Sequence, residues 1–408
     1  MGIGTGIEWT DSTWSPIRFR VKADAAQIAR AKGYTSLVAI AEKMAGHVGS
    51  HCEHVSPGCE HCYAATNNHR CLPANGTGLP YDRRSRDLVE AFVDEKILLQ
   101  PLRWKSVWQD LGNGDAELRS RRIFVENQSD LYGEWVTDEM LDRVKAVMAL
   151  CPQHTFQVLT KRPERMREYL NAADVRRRIA REANIFMRSG GRAAHSDALV
   201  HTFTWGSLEH AEVGEYANYL AGITDRRWPL PNVWLGVSVE NQAAADVRIP
   251  LLLQTPAAVR FISAEPLLGA LDLTIGGFLG GHFDRECDGT EDGCTCECFA
   301  PLDWVIAGGE SGPGARPMHP DWARSLRDQC VAAKVPFFFK QHGEWISLVD
   351  YDPFIHGADT GKYPHQFSWR TGEENDAELP ISCFRVSKKA AGALLDGRAW
   401  KQFPEARP

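Results

Sequence analysis

No run of apolar residues in this 408-residue chain approaches the length a membrane-crossing helix needs, so no membrane partner is expected. The opening MGIGTGIEWTDSTWSPI lacks the apolar centre of a secretory signal and carries Glu8 and Asp11, so the chain reads as cytoplasmic. Positive charge is not in excess. The 46 Lys and Arg face 53 Asp and Glu, giving a net charge of −7 and a pI near 6.1. That balance argues against a protein that coats nucleic acid, while leaving room for a local basic groove. An early glycine-rich dinucleotide turn is missing too. The one glycine-rich loop, GGESGPGARP, lacks the Lys-Ser/Thr of a phosphate-binding loop, which disfavours a nucleoside triphosphatase. There is no repeat of solenoid period.

Cysteine, by contrast, is plentiful and locally crowded. Eleven are present, an odd number, and without a secretory signal they point to thiols or metal ligands rather than a disulfide frame. The stretch HCEHVSPGCEHCYAATNNHRC, residues 51–71, holds four Cys and four His. Within it Cys52, Cys59 and Cys62 follow C-x6-C-x2-C. A C-x2-C pair presents two thiolates from one tight turn, and SPG supplies a bend that brings Cys52 close. Structural zinc, an iron–sulfur cluster and no metal at all remain open on spacing alone. Cys71, His61 and His69 are candidates for a fourth zinc ligand. Without a fourth protein ligand, a four-iron cluster would keep one iron open to a small molecule. A second group, Cys287, Cys294, Cys296 and Cys298, is a candidate zinc clip or second cluster. Cys151, Cys330 and Cys383 read as buried thiols.

Six continuous apolar runs suit strands buried on both faces of a parallel sheet: RIFV (122–125), HTFQVL (154–159), NVWLGVSV (232–239), VRFISA (259–264), DWVIAGG (303–309) and VPFFFKQ (335–341). A seventh strand is expected near IEWT or IRFRV. Between the runs lie amphipathic stretches such as TDEMLDRVKAVMALCP, with Thr137 as N-cap and Pro152 as stop, and HPDWARSLRDQCVAAK. The fold class is therefore α/β, a partial or complete (β/α) barrel of parallel strands. It occupies 1–346, with insertions near 20–50, 184–230 and 276–300, and 347–408 reads as a loop-rich peripheral extension.

Reacting groups in such barrels sit at the C-terminal strand ends. Those ends offer Glu126, Asn127, Ser129 and Asp130; Thr160, Lys161 and Arg162; Ser238, Glu240 and Asn241; Glu265; Glu310 and Ser311; Lys340 and Gln341. Any one of them is explained as well by an exposed loop or a helix cap. Their recurrence at six strand ends predicts a pocket there. Thirteen tryptophans add either core packing or platforms for a base. Two readings besides a cluster enzyme stay open: a non-catalytic zinc- or cluster-binding adaptor on nucleic acid, and a hydrolytic barrel enzyme using Glu126, Glu240, Glu265 and Glu310 as acid–base groups.

The motifs IEWTDSTWSP, VSPGCEHCYA, PLRWK, RIFVENQSDL, HTFQVLTKRPERM, NVWLGVSVENQ, RFISAEPLLG, WVIAGGESGPGARP and PFFFKQHGEW span most of residues 7–346. Together they resemble a phage-associated family of unknown function with a three-cysteine motif, regarded as radical-SAM-like. The resemblance implies a TIM-type partial barrel holding a 4Fe–4S cluster on Cys52, Cys59 and Cys62. It implies S-adenosyl-L-methionine as cofactor, an electron donor as partner, and His61 beside the adenine. Glu126, Asn127, Lys161, Ser238, Glu240, Asn241 and Glu265 are then the candidate cofactor-binding residues. The phage association makes DNA, RNA or a modified nucleobase the expected substrate, in modification or repair. Two features depart from radical SAM enzymes at large: the first cysteine gap is six residues rather than three, and GGE (308–310) lies late, so Glu310 receives no amine-binding role.

Overall fold

Each of the six apolar runs forms a strand of one seven-stranded parallel sheet. The computed structural model describes residues 7–70, 76–110, 116–190, 228–280, 301–348, 350, 366–369 and 381–405. Its strands are β1 (Ser12–Trp14), β2 (Arg121–Val125), β3 (His154–Thr160), β4 (Val233–Ser238), β5 (Val259–Ala264), β6 (Trp304–Ala307) and β7 (Phe337–Phe339). They lie side by side in chain order, every neighbouring pair parallel, in a curled half-barrel. Among the described residues no strand pairing joins β7 back to β1.

The first strand, Ser12–Trp14, lies between IEWT and IRFRV, near where it is expected. Ile17–Val21 is a strand of a different kind. Ile17, Phe19 and Val21 are buried while Arg18 and Arg20 are not, an alternation that suits a half-buried antiparallel sheet. It pairs antiparallel with Val48–Gly49 and Val89–Val93. The Ala-rich excursion at 20–50 contains the helices Ala25–Ala31 and Thr35–Met44.

The long helices α1 (Tyr63–Arg70), α2 (Asp138–Ala149), α3 (Pro163–Asn171), α4 (Val175–Gly190), α5 (Gln242–Leu253) and α6 (Pro320–Ala333) follow in chain order. The Thr137 hydroxyl caps α2 by accepting from the Met140 N–H at 3.4 Å, as its sequence predicts. Among the described residues no helix is long and apolar enough to cross a membrane.

Strand alternation divides the core in two. Ile123, Val125, Ile262, Ala264, Val305, Ala307, Phe337 and Phe339 belong to the large core shared with the helices. Their alternates Phe124, Phe261, Trp304, Ile306 and Phe338 join Trp234 and Trp9 in a separate aromatic core. Trp9 lies 4.6 Å from Phe124 of β2 and 6.3 Å from Trp304 of β6, so it bridges strands that the sheet itself keeps apart. Gly236 of β4 leaves room for the Phe261 ring, from which a Cβ there would stand 2.6 Å. Residues 398–403, in the stretch read as a peripheral extension, run along β7. The Phe339 N–H donates to the Trp400 carbonyl at 2.8 Å, and Phe403 packs 5.2 Å from Trp304.

One buried charge lies far from this face. Lys145 of α2 is 1% exposed, its Nζ has no hydrogen-bond partner among the described residues, and it stands 5.6 Å from the centre of the Tyr132 ring. Burial pulls its pKa down from 10.5 to about 7. Between those values the unfolded chain holds a proton that the native one has released, so stability rises with pH across that window. Lys145→Met is expected to stabilise the protein at pH 7 by ~1–3 kcal/mol, and urea midpoints of the variant should lose the wild-type rise between pH 7 and 10.

Candidate functional site

A cavity of about 360 Å³ opens at the C-terminal ends of the strands. Ile7, Trp9, Phe124 and Leu159 from the aromatic side line it, together with polar residues that follow β2, β3, β5, β6 and β7. The pocket predicted from six polar strand ends is therefore present.

The cysteine segment walls this cavity. Pro57 and Gly58 open a short 3-10 turn that ends at Cys59, and the Cys62 N–H donates back to the Cys59 carbonyl at 3.3 Å. A side chain at Gly58 would crowd Glu240, since its Cβ would lie 3.3 Å from that carboxyl carbon. This answers why SPG interrupts the cysteines: it makes the tight turn and permits close approach. Cys52, Cys59 and Cys62 all line the cavity, as do His54 and His61. Burial pushes the Cys52 thiol up to about 12, nearby Asp130 and the other two cysteines add to the effect, and Arg162 opposes it.

The segment is tied down from the ends of β2 and β3. Tyr63 donates its hydroxyl to the Asn127 carbonyl, Tyr81 to the Gln128 carbonyl at 3.2 Å, and Ser129 to the His51 carbonyl at 2.8 Å. Arg162 reaches the Glu53 carbonyl at 3.4 Å. His51 itself is buried among Phe19, Tyr81 and Trp135. Burial pulls its pKa down to about 3, so it is a neutral packing residue.

Among the described residues, no three His, Cys, Asp or Glu side chains converge as a single metal ion requires. Cys52, Cys59 and Cys62 do share one cavity wall, and thiolates are the donor type that an iron–sulfur cluster takes. Cys71 and the group Cys287, Cys294, Cys296 and Cys298 lie outside the described residues, as does the side chain of His69.

The other predicted residues separate cleanly. Glu126, Asn127, Lys161, Ser238 and Glu265 line the cavity with the cysteines and His61. Glu240 and Asn241 are not among its lining residues. Glu240 accepts from Arg248 at 2.8 Å. Burial works against its charge, but the Ser56 hydroxyl and the Arg248 guanidinium hold its carboxyl below the usual range. Asn241 caps α5, accepting from the Ala244 N–H at 3.0 Å. Glu265 is paired with Lys340 at 2.7 Å. Asp130 accepts from Thr160 at 2.7 Å, from the Lys161 N–H at 3.1 Å and from Arg162 at 3.0 Å.

Glu126 is different. Its φ is +53°, in a region that side-chain-bearing residues seldom occupy. One carboxyl oxygen accepts from the Ile17 N–H at 2.8 Å, and the other is buried without a hydrogen-bond partner among the described residues. Burial pushes its pKa up to about 8, which favours the protonated acid, the form able to donate a hydrogen bond. Lys161 and Lys388 also line the cavity, and neither ammonium has a hydrogen-bond or ion-pair partner among the described residues. Tyr81 and Lys388 were not foreseen. Lys388 comes from the C-terminal part of the chain, behind Ser387 at φ +100°, and nothing in its local sequence marks it.

A cysteine-walled cavity at the strand ends of a parallel half-barrel defines the class of architecture. The chain belongs to the family described as "Protein of unknown function (DUF5131)", whose model matches residues 43–404. No curated protein and no solved structure matches it.

Proposed function

We propose that this protein is an iron–sulfur enzyme of radical S-adenosylmethionine type. The observation that carries the reading is the placement of Cys52, Cys59 and Cys62 together on the wall of the strand-end cavity. These three thiolates would hold a 4Fe–4S cluster. When bound, such a cluster with an open iron supplies reductive cleavage of S-adenosylmethionine and the radical chemistry that follows.

The remaining work falls to the chain. Lys161 and Lys388, whose ammoniums have no hydrogen-bond or ion-pair partner among the described residues, can serve carboxylate or phosphate groups. Glu126 offers a protonated carboxyl, and Asn127 and Ser238 offer neutral hydrogen-bonding groups. The apolar floor of Trp9, Phe124 and Leu159 keeps water from that end of the cavity. A nucleic-acid or nucleobase substrate is supported by the motif resemblance alone.

The hydrolytic alternative needs carboxylates free to exchange protons. Glu240, Glu265 and Glu310 are instead committed to Arg248, Lys340 and Arg316. Among the four candidate carboxylates only Glu126 is not so paired. The functional test is product analysis: the reduced, cluster-replete protein should release 5′-deoxyadenosine and methionine from S-adenosylmethionine, even slowly and without its own substrate. A cluster-replete protein that neither binds nor cleaves S-adenosylmethionine would return the assignment to a binding protein.

A further inference from the structure

The glycine-rich loop after β6 carries GGE (308–310), to whose Glu310 the sequence assigns no amine-binding role, and its geometry gives that residue a different task. Glu310 is buried, and both of its oxygens are taken by one residue of the same loop. One oxygen accepts from the Arg316 backbone N–H and from Nε, each at 2.8 Å, and the other accepts from Nη2 at 2.6 Å. Three of that carboxylate's acceptor positions are thus taken by Arg316.

The guanidinium is turned outward from this anchor toward the cysteine turn. Nη2 donates to the Pro57 carbonyl at 2.9 Å, and Nη1 donates to Glu60 Oε2 at 2.9 Å. Pro57 and Glu60 flank Cys59, so Arg316 grips the turn that carries it on both sides. A second point of contact lies beside it. Gly314, at φ +81°, packs under the His61 ring, where a Cβ would stand 2.8 Å from Cε1. The backbone shape and the absent side chain both require glycine there.

We propose that Arg316 is a positioning residue for the cysteine segment, and that loop 308–316 is a latch fixing the Cys59–Cys62 turn against the barrel. The inference rests on the reading of those cysteines as metal ligands. Arg316 suits the task because its planar fork serves a carboxylate and a carbonyl at once, with fixed geometry. Residues that orient ligands without touching the metal typically change metal affinity 10–100-fold when replaced.

The test compares full-length wild type with Arg316→Gln and Arg316→Lys. Three measurements are made: the rate at which a chelator strips the metal, the visible spectrum of the loaded protein, and the alkylation rate of Cys59 in metal-free protein. Arg316→Gln should lose metal ~10–100-fold faster, with an altered spectrum, faster Cys59 alkylation and unchanged far-ultraviolet circular dichroism. Arg316→Lys should recover part of the loss, since one ammonium can keep Glu310 but cannot span Pro57 and Glu60 together. Wild-type rates of both stripping and alkylation in Arg316→Gln would overturn the proposal. Should that variant fail to fold, Arg316→Lys decides, with wild-type alkylation of its Cys59 as the overturning result. A wild-type protein that carries no metal would defeat the enzyme reading, yet the alkylation comparison would still decide the role of Arg316.

Discussion

Cys59→Ala is expected to emerge from anaerobic purification without its brown colour and without cluster iron, while remaining folded. Cys59 is buried at the end of the 3-10 turn, and its sulfur lies 3.9 Å from the Ser56 hydroxyl. Its loss removes one of the three proposed ligands from a wall that has no spare thiol among the described residues. The barrel does not depend on it. The aromatic core of Trp9, Phe124, Phe261, Trp304 and Phe338 and the larger core against the helices are formed without the cysteine segment. Far-ultraviolet circular dichroism should therefore match wild type, while iron and sulfide fall to background. Cys52→Ala and Cys62→Ala should behave alike, and retention of full iron and sulfide in the triple variant would sink the ligand assignment.

The second large effect is on stability. Asp130→Ala should cost about 3–5 kcal/mol, the usual consequence of removing one partner of a buried ion pair. The Asp130 and Arg162 side chains are only 7% and 12% exposed. Asp130 also satisfies the Thr160 hydroxyl and the Lys161 and Tyr132 N–H groups. Arg162 would keep only the Glu53 carbonyl and the face of Trp135, 4.9 Å from its ring centre. Because Arg162 also reaches the cysteine segment, the variant should bind iron more weakly as well as unfold at lower urea. An Asp130→Ala urea midpoint equal to wild type would show that the pair contributes nothing net.

The strands were legible because each is a continuous buried run, which few other structures require. Ser12–Trp14 was legible only to its neighbourhood, because three residues are too few for a period to declare itself. IRFRV attracted the assignment with its β-branched and aromatic content, and only its alternation with Arg18 and Arg20 betrays the antiparallel sheet. The site was legible to the same depth. Once strands are placed, the residue at each C-terminal end is placed too, which is why Glu126, Lys161, Ser238 and Glu265 reach the cavity. Glu240 and Asn241 lie just past the strand end, where the chain has already turned into α5. There Asn241 serves its own helix and Glu240 serves Arg248 and the cysteine turn. Lys388, Tyr81 and Arg316 depend on packing between segments far apart in sequence, and no local pattern encodes that.

Everything functional in this account turns on what the three thiols hold. Iron and acid-labile sulfide, counted per chain in protein purified anaerobically from iron-replete cells, test this most directly. One 4Fe–4S cluster per chain is expected on Cys52, Cys59 and Cys62, lost when Cys59 is replaced. Zinc bound at these cysteines without sulfide, or iron and sulfide that persist unchanged in Cys59→Ala, would contradict it.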